Sequence, residues 1–171
     1  MRLVMGAILL ASISSFSHAS EDEWVFVGSG TTSKVYMQNV EVSTNIDNGM
    51  VEAWSKSVYR DGSHILEKVK YSCLNDEYLT LEDHNYDADG VYQSGGKLKP
   101  VWFSIIPESL GVLLAETACY AGAKQEIDKL VLLDSGYVEQ DTFELITNSF
   151  GRYADAVLMK SIQESIDNIE W

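Results

Sequence analysis

A chain of 171 residues with 26 acidic and 12 basic residues carries a formal net charge of −14. The resulting negative field repels phosphates and anionic lipid head groups, which excludes the nucleic-acid-binding classes that rely on an excess of basic charge. The composition, 46% hydrophobic and 22% charged, is that of a globular protein and excludes wholesale disorder.

The first 19 residues have the layout of a secretory signal peptide. Arg2 precedes an apolar run over residues 3–13, and the small residues Ser17 and Ala19 form the cleavage-site pattern that follows it. This run is too short to span a membrane, and no second long apolar stretch follows it. We therefore expect cleavage near Ala19, a periplasmic or secreted mature chain, and no transmembrane span.

The chain has two cysteines, Cys73 and Cys119. In an oxidising compartment a lone pair of cysteines favours a disulfide over two free catalytic thiols. A disulfide between them would close the loop over residues 73–119, and in the chain-entropy model closing such a loop stabilises a fold by about 4 kcal/mol. The sequence thus predicts a structural disulfide.

Short runs rich in Val, Tyr, Trp and Thr alternate with turn residues between Trp24 and Gly96. These runs predict strands at 24–27, 34–37, 40–44, 50–59, 64–74, 78–83 and 90–94. The alternation over 64–74 places Cys73 on the same face as Val69 and Tyr71. We expect an antiparallel sheet whose apolar face includes this cysteine.

The pattern after the predicted strands is helical, beginning near Pro107 and continuing to about Tyr120. Cys119 then shares a small-residue face with Ala115, so the helix can approach the sheet closely. A second apolar face needs a cover that one sheet does not provide. Its members are Leu110, Leu113 and Leu114.

The remaining segment predicts a helix over 125–133 and a longer helix from Asp141 or Thr142 almost to Trp171. We expect these helices to cover the leucine face, and a dimerising or partner-binding role is the alternative. The predicted organisation is a signal peptide at 1–19, a sheet-and-helix domain at 20–122 and a helical extension at 123–171.

Several landmarks follow one another in an order that is typical of a known family. They are Trp24, Trp54, Lys56, Tyr71-Ser72-Cys73, Tyr86-Asp87, Gly90, Trp102, Ile106-Pro107-Glu108-Ser109-Leu110-Gly111 and Cys119. Over about residues 23–120, the chain resembles the surface-adhesin protein E family of Gram-negative bacteria.

The resemblance implies an α+β fold, with an antiparallel sheet of about six strands and a helix held on one face by a Cys73–Cys119 disulfide. It also implies adhesion to host matrix proteins such as vitronectin and laminin. Two differences limit how much of this function carries over to the chain. The adhesin that gives the family its name is a lipoprotein, and this chain lacks the cysteine that anchors it. The segment after Tyr120 also has no counterpart in the family. No ligand-contact residue can be carried over, so the ligand-binding residues stay unknown.

Asn85, Asp87, Asp89 and Gly90 fit the first half of a calcium loop, in which oxygen ligands alternate. However, the twelfth position is Gly96, where such loops have a bidentate glutamate. Asn, Asp and Gly are also ordinary turn residues between strands. Asn85, Asp87 and Asp89 are therefore a weak calcium candidate beside a turn interpretation.

No catalytic motif or cofactor loop is present, and the two histidines of the mature chain, His64 and His84, are too few for a typical zinc site. We therefore expect no enzyme activity and no cofactor. The aromatic side chains could line a ligand face or form core. They are Trp24, Trp54, Trp102, Tyr36, Tyr59, Tyr78 and Tyr92.

The sequence thus predicts an exported, non-enzymatic binding protein with a protein partner, such as a host matrix protein. The alternative is a periplasmic structural or assembly factor that binds a bacterial partner or homodimerises through its C-terminal helices.

Overall fold

The computed structural model describes residues 24–38, 42–132 and 140–167. The signal peptide expected at 1–19 lies outside the described residues. The described strands are β1 (Trp24–Ser29), β2 (Ser33–Gln38), β3 (Ser43–Asn45), β4 (Met50–Tyr59), β5 (His64–Ser72), β6 (Glu77–Tyr86), β7 (Tyr92–Lys97) and β8 (Phe103–Ser104). The described helices are α1 (Leu110–Leu132), α2 (Gln140–Phe150) and α3 (Arg152–Asp167).

The strands form one antiparallel sheet in the order β1-β2-β4-β5-β6-β7. Beside this path, β3 pairs with β4 and β8 pairs with β6. The turn predicted at Asp61-Gly62 joins β4 to β5, and the Asp61 carboxylate accepts hydrogen bonds from the backbone N–H and hydroxyl of Ser63. The predicted α+β class with an antiparallel sheet is confirmed.

Three β-bulges interrupt the regular pairing of this sheet. An extra residue lies at Val27 in β1, at Leu81 in β6 and at Gln93 in β7. Each bulge places two residues of one strand opposite one residue of its partner. The side chains beyond a bulge therefore point to the face opposite the one that simple alternation predicts.

Helix α1 lies on one face of the sheet because its contact surface is built from small residues. Ala115, Ala118 and Ala123 are buried there, and Gly122 lies where sheet and helices meet. A Cβ atom on Gly122 would lie 2.7 Å from Cγ2 of Val51 and 3.2 Å from Cε1 of Phe150. The absence of a side chain at residue 122 therefore permits this close approach.

The predicted helix boundaries require two corrections. One continuous helix, α1, replaces the two helices expected at 107–120 and 125–133, so the expected domain boundary at residue 122 falls inside a helix. The long helix expected near the C-terminus is divided into α2 and α3 at Gly151, whose φ is +50°. Glycine tolerates this left-handed conformation, which ends one helix and redirects the chain.

The leucine face of α1 is covered from a different side than expected. A Cβ on Gly28 would lie 2.7 Å from Cδ1 of Leu113, and one on Gly30 would lie 3.2 Å from Cδ1 of Leu110. Strand β1 and the turn that follows it therefore pack against these two leucines, and Leu113 remains 40% exposed. Leu114 is partly buried against the main core.

Helices α2 and α3 belong to the same hydrophobic core as the sheet and α1. Their buried contributors are Ile146, Phe150, Tyr153, Ala154 and Val157. Intramolecular packing therefore buries these five residues of the segment. Among the described residues, no helix is both long enough and apolar enough to cross a membrane.

Candidate functional site

The strand register divides the sheet into two faces of different character. Cross-strand partners share a face, and the face with Met37, Val51 and Tyr71 packs in the core with α1. The opposite side is called the outer face here. Its members include Trp24, Phe26, Lys34, Tyr36, Glu52, Trp54, Lys56, Val58, His64, Leu66, Lys68, Lys70, Glu77, Leu79, Glu82, His84, Tyr86, Tyr92 and Lys97.

Five aromatic rings form a continuous cluster on the outer face. The ring centroids are 6.0 Å apart for Trp54 and His84, 6.0 Å for His84 and Tyr92, and 5.7 Å for Tyr92 and Tyr86. His64 stacks on Tyr86 at 4.7 Å with an angle of 4° between the rings. These five residues, called the ring cluster, connect strands β4 to β7.

A second aromatic group lies at the β1–β2 end of the outer face. Phe26 and Tyr36 are cross-strand partners whose ring centroids lie 5.6 Å apart at an angle of 67°. Lys56 Nζ lies 5.9 Å from the ring centroid of Trp24, within reach of a cation–π interaction. Phe26 is 54% exposed, so an apolar ring protrudes at this end as Tyr92 does at the other.

Charged side chains lie between the two aromatic groups. Glu52 pairs with Lys70 at 2.7 Å and with Lys68 at 3.3 Å. Burial alone raises the pKa of Glu52, but the hydrogen bonds and charges of Lys70 and Lys68 outweigh burial and the pKa is lowered. Glu52 is therefore ionised at neutral pH, and the surface between the ring groups is ionic.

The two histidines of the ring cluster have different surroundings. His84 Nε2 lies 2.8 Å from Oε1 of Glu82. For His64, desolvation and then the charge of Lys56 lower the pKa. His64 is consequently neutral at pH 7, and it can stack on Tyr86 without burying a charge.

The predicted disulfide is present and structural. Cys73 and Cys119 are joined with a Cα–Cα distance of 5.7 Å, and both side chains are buried in the core. The bond connects the end of the sheet after β5 to the middle of α1. The predicted structural disulfide is therefore confirmed, and neither sulfur is accessible for thiol chemistry.

Two residues of the weak calcium candidate, Asp87 and Asp89, lie in a tight turn, and the third, Asn85, lies in the strand before it. Asp87 Oδ1 accepts hydrogen bonds from the backbone N–H groups of Asp89 and Val91, and Asp87 Oδ2 accepts one from the Gln93 amide. Asn85 lies within β6 and donates to Asp83. Within the described residues, no three His, Cys, Asp or Glu side chains are grouped as metal ligands.

Sequence reasoning identified some of the outer-face aromatic residues and missed others. Trp24, Trp54, Tyr36 and Tyr92 do lie there, whereas Tyr78 pairs with Tyr71 on the core face. Trp102 follows β7 and is 41% exposed, and Tyr59, which ends β4, is 36% exposed. The missed members are Phe26, His64, His84 and Tyr86.

Their omission has a definite origin. His84 and Tyr86 follow the bulge at Leu81, so simple alternation along β6 assigns both to the core side. The sequence carries one signal of their position, which is the clean alternation of β5. If this alternation is continued into the neighbouring strand β6, His64 is paired with Tyr86 and both lie on the same face.

A shallow groove of about 690 Å³ lies between α1 and α3. Its lining includes Tyr120, Ala121, Tyr153 and Ala156, with Arg152 at one end. The Arg152 guanidinium donates to Asp76 and to the hydroxyl of Tyr153. These contacts tie the start of α3 to the turn after β5, so Arg152 serves the fold.

No protein-family model matches the chain, and no curated protein matches it in sequence. The likeness to the surface-adhesin protein E family therefore stays a prediction from the ordered landmarks.

Proposed function

We propose that this protein is an exported, non-enzymatic binding module that attaches to another protein through the outer face of its sheet. The ring cluster is the observation that carries this proposal. A few hot-spot residues, among which Trp and Tyr are enriched, supply most of the binding energy in protein interfaces, and here such aromatic side chains lie on the sheet face opposite α1.

The orientation of the rings favours a protein over a carbohydrate as partner. Sugar recognition needs an open ring face, and His64 and Tyr86, which lie nearly parallel, each use one ring face in contact with the other. The surface also offers ring edges and polar groups, such as the Tyr92 hydroxyl, which donates to the Gly95 carbonyl and retains its capacity to accept a hydrogen bond. Apolar edges surrounded by hydrogen-bonding groups are characteristic of protein interfaces.

The resemblance to the surface-adhesin protein E family supports a host matrix protein as the partner, with vitronectin and laminin as the first choices. The buried disulfide supports an oxidising compartment, and the signal-like N-terminus supports export. The alternative of dimerisation through the C-terminal helices receives less support. Ile146, Phe150 and Val157 of that segment are already used in the core.

The test is surface plasmon resonance of the mature chain on immobilised vitronectin and laminin. Truncating both protruding rings, Phe26→Ala with Tyr92→Ala, should weaken binding at least tenfold, as loss of interface hot spots does. Met159→Ala is the matched control, because Met159 is 67% exposed on α3. Equal binding by all three proteins, or no binding by the unaltered chain, contradicts the proposal.

A further inference from the structure

The charges of the described strands are distributed very differently from those of the whole chain. Among these strands, the outer face holds five of the chain's 12 Lys and Arg residues and three of its 26 Asp and Glu residues. The lysines are Lys34, Lys56, Lys68, Lys70 and Lys97. A protein of net charge −14 thus presents a locally basic face.

These lysines lie beside the aromatic side chains and not apart from them. Lys34 is two residues from Tyr36 in β2, and Lys68 is the cross-strand partner of Trp54. Lys97 is in the same edge strand as Tyr92 and opposite Glu82. The positive charges and the rings therefore form one surface, which a single partner can contact at once.

We propose that the occupant of the outer face is an acidic protein segment that also carries aromatic or apolar side chains. This inference rests on the proposed function and specifies the chemistry of the partner. Carboxylates of the segment would pair with the outer-face lysines, and its apolar side chains would pack on Phe26 and on the ring cluster, at the two ends of the ionic surface. Charge complementarity supports this choice, because the outer-face lysines attract carboxylates, whereas a basic segment would be drawn to the acidic remainder of the chain instead.

A sulfated glycan is the competing ligand for a basic surface, and the contacts disfavour it. Lys68 and Lys70 share Glu52, and Lys56 lies over Trp24, which leaves a mixed surface without a dense row of cations. A polysulfate needs such a row, whereas a protein segment can use isolated ion pairs together with apolar contacts.

The experiment measures binding of the mature chain to an immobilised random glutamate–tyrosine copolymer, with heparin on a second surface. The double variant Lys34→Glu with Lys97→Glu reverses two exposed outer-face charges and replaces no residue of the ring cluster. Lys129→Glu with Lys160→Glu makes the same change in net charge on helices α1 and α3.

We expect the copolymer to bind and the outer-face variant to bind at least tenfold more weakly, with the helix variant within threefold of the unaltered chain. Binding should also weaken as salt is raised. Equal losses in both variants, no copolymer binding, or lysine-dependent binding to heparin instead would each overturn the inference.

Vitronectin and laminin, measured in parallel, distinguish the two proposals. Loss of matrix binding in the Phe26 and Tyr92 variant but not in the Lys34 and Lys97 variant would retain the proposed function and reject the acidic partner. Loss in neither variant would reject the outer face itself.

Discussion

Cys73 and Cys119 act on stability and not on chemistry. The bond closes a long loop between residues that are 46 apart in sequence, and its sulfur atoms lie inside the core. Cross-linking at this separation restricts the unfolded chain far more than the folded one. Its removal should therefore lower the melting temperature while the architecture persists.

Replacing both cysteines by serine should cost about 4 kcal/mol and lower the melting temperature by about 10 °C. The measurement is thermal unfolding followed by circular dichroism. The unaltered chain under reducing conditions should show a similar loss, which controls for the buried hydroxyls of the variant. An unchanged melting temperature in both samples would contradict a structural role for the bond.

Glu67 is an unfavourable group on the core face of the sheet. Desolvation and then the charge of its cross-strand partner Asp83 raise its pKa, while a hydrogen bond from Thr80 opposes them. Because the folded-state pKa lies above the ordinary value of 4.5, proton binding favours the folded state. Stability from this group is complete below that value and is lost as pH rises through the folded pKa.

Glu67→Gln should consequently raise the free energy of unfolding at pH 7, since it removes a desolvated charge and its repulsion with Asp83. The gain should shrink as pH falls towards 4, where Glu67 of the native chain is itself protonated. Urea titrations at several pH values measure both effects. A pH-independent difference would assign the change to packing and not to ionisation.

At the scale of elements, the sequence predicted the strands better than the helices. Alternation and turn residues located most strands because each strand of the sheet has one buried face. Helix α1 was divided wrongly because Gly122, normally a sign of a helix end, is required here for contact with Val51 and Phe150. That requirement depends on partners far away in sequence.

Gly122→Ala tests this reading of α1. The added Cβ would approach Val51 to 2.7 Å, so we expect a loss of about 1–3 kcal/mol despite the better helix propensity of alanine. Gly111→Ala is the matched control in the same helix, where only the Ser109 hydroxyl is near, at 3.2 Å. Denaturant unfolding compares the two. A higher free energy of unfolding for Gly122→Ala would show that the contact between Gly122, Val51 and Phe150 can accommodate a methyl group.

For the whole described molecule, the sheet and the C-terminal helices form one core. The sequence located the apolar stripe of α2 and α3 but did not show that Leu110 and Leu113 lie beside Gly30 and Gly28 at the β1 end of the sheet. Periodicity shows which residues of a helix are buried, but it does not show against which neighbour they pack. The outer face was equally hard to predict, since an aromatic residue in a strand is usually a core residue.

A chain that ends after Gly122 should therefore aggregate or remain unfolded. It lacks Ile127, Ile146 and Phe150, and it exposes the buried Val51. Light scattering of the truncated and full chains measures the outcome. Phe150→Ala in the full chain should cost about 3–5 kcal/mol through the same contacts. A stable, monomeric truncated chain would establish that the sheet and the first half of α1 fold alone.

The bulge at Leu81 determines which chemistry reaches the solvent. Because strand side chains alternate, one additional residue reverses the parity of all positions beyond it. If Leu81 were instead paired regularly with Lys68, Glu82, His84 and Tyr86 would turn towards the core side and Asp83 and Asn85 would lie outside. One extra residue in β6 thus decides whether this part of the outer face presents His84 and Tyr86 or Asp83 and Asn85.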